Sequence, residues 1–109
     1  METNEMHAIQ VTIEEAKKVI QDRDDIVKLV NNPIFQRVVG KMYYEDESVR
    51  LVGLLSEEGL DDKAMAGVHR QMFGISNMQR FLRDKVELGN QMESDLKDAE
   101  EEIDRPEGE

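Results

Sequence analysis

From Met65 to Ile103 the apolar residues of this chain recur every third or fourth position, and nowhere do apolar and polar residues alternate over a useful length. A spacing of three and four matches the ~3.6 residues of an α-helical turn, whereas a half-buried strand needs a spacing of two. This pattern restricts the fold to helices. The spacing predicts one stripe through Met65, Val68, Met72, Ile75, Leu82 and Val86. A second runs through Met78, Phe81, Lys85, Leu88, Met92, Leu96, Ala99 and Ile103. Together they describe a final helical segment from Asp62 to about Asp104. Two breaks are expected in it: Gly74-Ile75-Ser76, where Ser76 and Gln79 are spaced as a capping box, and Gly89-Asn90.

Upstream, residues 1–11 read as a loose polar arm. Thr12-Ile13-Glu14-Glu15 forms a capping box in which Thr12 and Glu15 satisfy each other's free backbone donors. Ile13, Ala16, Ile20, Val27 and Val30, with Arg23 in the remaining slot, predict a helix that Asn31-Asn32-Pro33 ends. Asn32 as cap and Pro33 at the first helical position then open a second helix. Its expected buried stripe is Phe35, Val38 and Met42, flanked by Ile34 and Val39. Gly40 should weaken that helix by ~1 kcal/mol relative to Ala and let another backbone approach. The acidic run Glu45-Asp46-Glu47-Ser48 is expected to break it. Asp46 would cap a short third helix burying Val49, Val52 and Leu55, with Leu51 and Leu54 widening the face. Glu58-Gly59 reads as a left-handed stop, and Asp61 or Asp62 as the cap of the last segment. The expected architecture is all-α: three to four helices in a small bundle or hairpin, with a long acidic C-terminal helix. Its parts are the arm at 1–11, a helical domain at 12–92, and an acidic helix and tail at 93–109.

Charge is divided sharply along the last segment. Lys63 to Arg83 contains no carboxylate, while Glu93 to Glu109 holds nine against only Lys97 and Arg105. The tail therefore supplies most of the net charge of −11. That charge disfavours nonspecific binding to nucleic acid or anionic lipid, because phosphates would be repelled. The chain has no Cys, which excludes disulfides and thiolate metal sites and fits a reducing cytoplasm. No apolar run approaches the ~18 residues of a membrane span, and no signal-peptide pattern opens the chain.

No catalytic, cofactor-binding or metal-binding residues are expected. His7 and His69 lack a second His at helical spacing, and no Ser stands in a nucleophile-elbow motif. Glu45, Asp46, Glu47, Asp61 and Asp62 lack the alternating oxygen positions of a Ca²⁺ loop and read as helix starts. Gly67 and Gly74 read as close helix packing, and Arg37 with Lys41 as a solvated cationic pair. The carboxylate-free stretch has two readings. Arg70, Arg80 and Arg83 can be neutralised internally by Glu45–Glu47 or the tail, or they can meet an outside protein surface. The candidate protein-binding residues are Met72, Met78, Arg80, Phe81, Leu82 and Arg83, and self-association is expected through Leu88, Met92, Leu96 and Ile103. The alternative reading makes the tail a mimic of the DNA backbone, presenting Glu93, Asp95, Asp98, Glu100, Glu101, Glu102 and Asp104 to a host nucleic-acid enzyme. A tail that stays solvated is the third possibility.

Three short motifs carry a resemblance: Asn32-Pro33-Ile34-Phe35; Tyr43-Tyr44-Glu45 leading to Val49-Arg50-Leu51-Val52; and Ile75-Ser76-Asn77-Met78-Gln79-Arg80-Phe81-Leu82. With the acidic C-terminal helix, the segment from Asn32 to about Leu96 resembles small helical proteins encoded among the structural genes of tailed bacteriophages. The resemblance implies a non-enzymatic, scaffold-like or chaperone factor of virion assembly. It would act in the bacterial cytoplasm or on the particle, bind a phage structural protein or a host protein, and form homo-oligomers.

Overall fold

A computed structural model describes the backbone of residues 2–104 and the side chains of residues 12–102. The fold is all-α, with no strand among the described residues. Helix α1 spans Glu2–Val30, α2 is the single turn Pro33–Phe35, α3 spans Ser48–Leu55 and α4 spans Asp62–Asp104. Between α2 and α3, Gln36–Glu47 is wound as a π-helix, and the helical backbone continues through both junctions at Gln36 and Ser48. No helix among the described residues is long and apolar enough to cross a membrane.

Several local signals act as expected. The Asn32 side chain accepts hydrogen bonds from the Ile34 and Phe35 amides, with Pro33 in the first turn. Gly59 adopts φ 89°, a left-handed conformation that a Cβ would strain. Asp61 caps α4, its carboxylate accepting from the Ala64 amide at 2.7 Å.

Other signals are overridden. Helix α1 opens at Glu2, ahead of the Thr12 box. Residues 2–11 contain neither Gly nor Pro, and extending an existing helix costs less than nucleating one. The acidic run at 45–47 does not break its helix. Lys41 Nζ lies 2.6 Å from Asp46 and 3.6 Å from Glu45, and Arg50 Nε donates to Glu47 at 3.1 Å, so the acids are paired along the helix itself. Neither Gly74 nor Gly89 interrupts α4, which runs 43 residues without a break.

The chain divides into two compact units, one of residues 28–83 and one of residues 1–27 with 84–109. The core of the first is Leu51, Val68 and Ile75, packed by Tyr44, Leu54, Leu55 and Met72. The predicted α4 stripe is thus correct at Val68, Met72 and Ile75. The predicted stripe before α3 holds at Phe35 and Val39 but fails at Val38 and Met42, which are 40% and 52% exposed, and at Ile34. Phe35, Val39, Gly40, Tyr44, Glu47 and Ser48 are the partly buried positions there. The π winding is the reason. Its i→i+5 hydrogen bonds put more residues in each turn, so positions four or five apart share a face. In α3 the inward side is correspondingly Leu51, Leu54 and Leu55, while Val49 and Val52 face out.

In the second unit the partly buried positions are Ile13, Ala16, Val19, Ile20, Arg23, Asp24 and Ile26 on α1, and Lys85, Val86, Met92 and Leu96 on α4, with Gly89 fully buried. Gly89 is the contact point. A Cβ built there would lie 2.2 Å from Arg23 Cβ and 2.7 Å from its Cγ. The Arg23 stem lies across the glycine, and its guanidinium reaches Asn90 Oδ1 at 2.9 Å and Glu93 Oε2 at 2.5 Å. The close approach expected at Gly40 is found here instead; Gly40 has nothing within 4 Å of its Cβ position.

Two glycines in helices should therefore respond oppositely to alanine. Gly40→Ala is expected to raise the thermal midpoint, by an amount corresponding to about 0.5–1 kcal/mol of helix propensity. Gly89→Ala should lower it despite the same propensity gain, because overpacking costs about 1–3 kcal/mol. Circular-dichroism melts of the two variants check both signs. The Arg23 hydrogen bond, followed by its charge, holds the Glu93 carboxyl below the ordinary carboxylate range. A depressed carboxyl contributes stability above its unfolded pKa and loses it as pH falls through its folded pKa. Acidification below the ordinary carboxylate range should therefore weaken this unit, and Glu93→Gln should flatten that acid limb in pH-dependent melts.

Candidate functional site

Within residues 28–83, α4 turns Val68, Met72 and Ile75 into the core. Residues at other angles around the same helix must then face solvent. Arg70, Phe73, Asn77 and Phe81 follow one another at spacings of three and four, so they share an outward face, with Arg80 beside Phe81. Phe73 is 65% exposed and Phe81 56%. Aromatic rings carry a large apolar area, and two rings on one outward helix face make a patch rather than scattered exposure.

The electrostatics of this face are cationic. Among the described residues, neither Arg70 nor Arg80 has an ion pair or side-chain hydrogen bond. The nearby sequence acids are engaged elsewhere: Asp46 and Glu45 with Lys41, and Glu47 with Arg50. The Asp46 hydrogen bond, and after it the Asp46 charge, raises the Lys41 pKa. The Arg50 hydrogen bond lowers that of Glu47. Internal neutralisation of Arg70 and Arg80 by residues 45–47 is thus not what these contacts provide.

The predicted protein-binding residues fall into different environments. Arg80, Phe81 and Arg83 are exposed on α4, whereas Met78 and Leu82 are half-buried and Met72 packs against the core. Leu88 is 41% exposed, while Met92 and Leu96 are half-buried on the side of α4 that carries Gly89. The Ile103 and Asp104 side chains lie outside the described residues, as does His7; His69 is exposed. Phe73 was missed by the sequence reading. The signal was present, because each residue turns the helix by about 100°: with Val68, Met72 and Ile75 inward, Phe73 has to point out.

A groove of about 510 Å³ also opens in this unit, between Phe35, Gly40 and Tyr44 on the π-helical side and Gln79 and Leu82 of α4. The absent side chain at Gly40 helps to keep it open. The Tyr44 hydroxyl is buried without a hydrogen-bond partner among the described residues. Burial, and then the neighbouring Tyr43, pushes its pKa up, so the phenol stays protonated as a donor.

On the acidic part of α4, Asp95, Asp98, Glu100, Glu101 and Glu102 are exposed. Glu93 is paired with Arg23, and Gln91 donates to Asp95 at 2.9 Å. No group of three or more His, Asp or Glu side chains among the described residues is placed to hold a metal ion. The surfaces offer apolar contact and charge, of both signs, in separate places. Compared with known proteins, the chain matches no family model, no characterised protein and no solved structure.

Proposed function

We propose that this chain is a non-enzymatic protein-binding factor, of the accessory, scaffold-like or chaperone kind that serves assembly of tailed-phage particles. One observation carries the reading: Phe73 and Phe81 stand exposed on a carboxylate-free helix face beside Arg70 and Arg80, which lack partners among the described residues. Aromatic residues and Arg are the types enriched where proteins bury surface against one another. In this reading the helices form a small bundle or hairpin that presents the face, the acidic C-terminal helix serves as a second contact surface, and the chain works in the host cell or on the particle.

A second reading draws on the exposed row Asp95, Asp98, Glu100, Glu101 and Glu102. These carboxylates suit a DNA-mimicking inhibitor of a host nucleic-acid enzyme, though Glu93 of the expected set is tied to Arg23.

Affinity purification of the tagged chain from infected cells separates the two. The assembly reading expects capsid, portal or tail proteins to co-purify, with recovery falling at least about tenfold for Phe73→Ala combined with Phe81→Ala, since each buried aromatic contributes ≥ ~1 kcal/mol at an interface. Recovery of a nucleic-acid enzyme that DNA displaces, unaffected by those two substitutions, would favour the mimic.

A further inference from the structure

Among the described residues, α4 carries two exposed surfaces of opposite charge. In the unit of residues 28–83 the surface is Arg70, Phe73, Asn77, Arg80 and Phe81, in a stretch with no carboxylate. In the other unit, Leu88, Gln91, Asp95, Asp98 and Glu102 follow at spacings of three and four, all exposed and therefore on one side of their part of the helix. Their lengths agree. Arg70 to Phe81 covers about 17 Å of helix and Leu88 to Glu102 about 21 Å, at 1.5 Å per residue.

We infer that the cationic, aromatic face of one copy docks on the acidic face of α4 in a second copy, with the two α4 segments antiparallel. This rests on the same face as the protein-binding reading and names its occupant. Direction follows from the order of residue types. Antiparallel alignment with Phe81 against Leu88 sets Arg70 beside Asp98, with Phe73 near Asp95 and Leu96 and Arg80 near Leu88 and Gln91, so apolar meets apolar at one end of the contact and cation meets anion at the other. A parallel alignment would set Arg70 on Leu88 and Phe81 among carboxylates. Each copy carries both surfaces, so each can give and receive this contact.

The net charge of −11 opposes association of two identical chains. Range decides which effect wins. At physiological ionic strength the screening length is ≈ 8 Å, so repulsion between distant carboxylates is damped while ion pairs at about 4 Å persist. Burial of Phe73, Phe81 and Leu88 adds a contribution that salt does not remove.

The test uses the full chain and two charge-reversed variants at exposed positions. One carries Arg70→Glu with Arg80→Glu, the other Asp95→Lys with Asp98→Lys. In sedimentation analysis the natural sequence should be a dimer whose dissociation constant rises by roughly tenfold or more between 50 mM and 500 mM salt. Each variant alone, with helicity unchanged by circular dichroism, should be monomeric. Their equimolar mixture should again form dimers, since every reversed face then meets its complement. A natural chain that stays monomeric at 50 mM salt overturns the inference, as does a variant that dimerises alone or a mixture that does not. A monomer that still recovers particle proteins would leave the protein-binding reading standing, and a dimer that recovers none would remove that reading alone.

Discussion

Packing of Leu51 against Val68 and Ile75 is the contact on which the rest of the 28–83 unit depends. These three are the buried hydrophobic side chains among the described residues, Leu51 completely so, and each contributes a large share of the apolar burial there. The contact also sets the rotation of α4. Once Val68, Met72 and Ile75 point inward, Phe73 and Phe81 have no inward route, and Arg70 and Arg80 stand beside them. An exposed aromatic and cationic helix face is thus a geometric consequence of a core with few members.

The π-helical stretch Gln36–Glu47 serves the same contact from the opposite side. Its wider turn moves Tyr44 onto the face that continues to Leu51, and it leaves Val38 and Met42 outside. Gly40 lies within that turn and keeps a groove open that an added side chain would begin to fill. The ion pair from Lys41 to Asp46 lies within the segment, and that from Arg50 to Glu47 joins its end to α3. Exposed pairs of this kind contribute only ~0–1 kcal/mol each, so they let the acidic run stay helical without determining the fold.

Legibility followed the range of the interaction. The Asn32–Pro33 start, the Gly59 stop and the Asp61 cap are decided within a few residues, and each was readable from residue type. The Val68–Met72–Ile75 stripe was readable as well, because a straight α-helix repeats its face at a known period. The stripe before α3 was misread since that period was assumed through Gln36–Glu47, where the backbone does not keep it. The expected helix start at Thr12 and the expected breaks at Glu45–Glu47, at Gly74 and at Gly89 failed for a common reason: capping and glycine signals are worth about 1 kcal/mol, and continued hydrogen bonding with packing outweighs them.

Sequence alone determined that this chain is helical, where its firmest caps lie, and that charge is divided along its last helix, because these follow from residue type and spacing. Which glycine admits a close neighbour was decided only in three dimensions: Gly89 takes the Arg23 stem, whereas Gly40 faces open space. The partners of the charges were decided there too, with Arg23 claiming Glu93, and Arg70 and Arg80 left unpaired among the described residues. Such outcomes depend on which side chains from distant parts of the chain arrive at one place, and no local pattern encodes that.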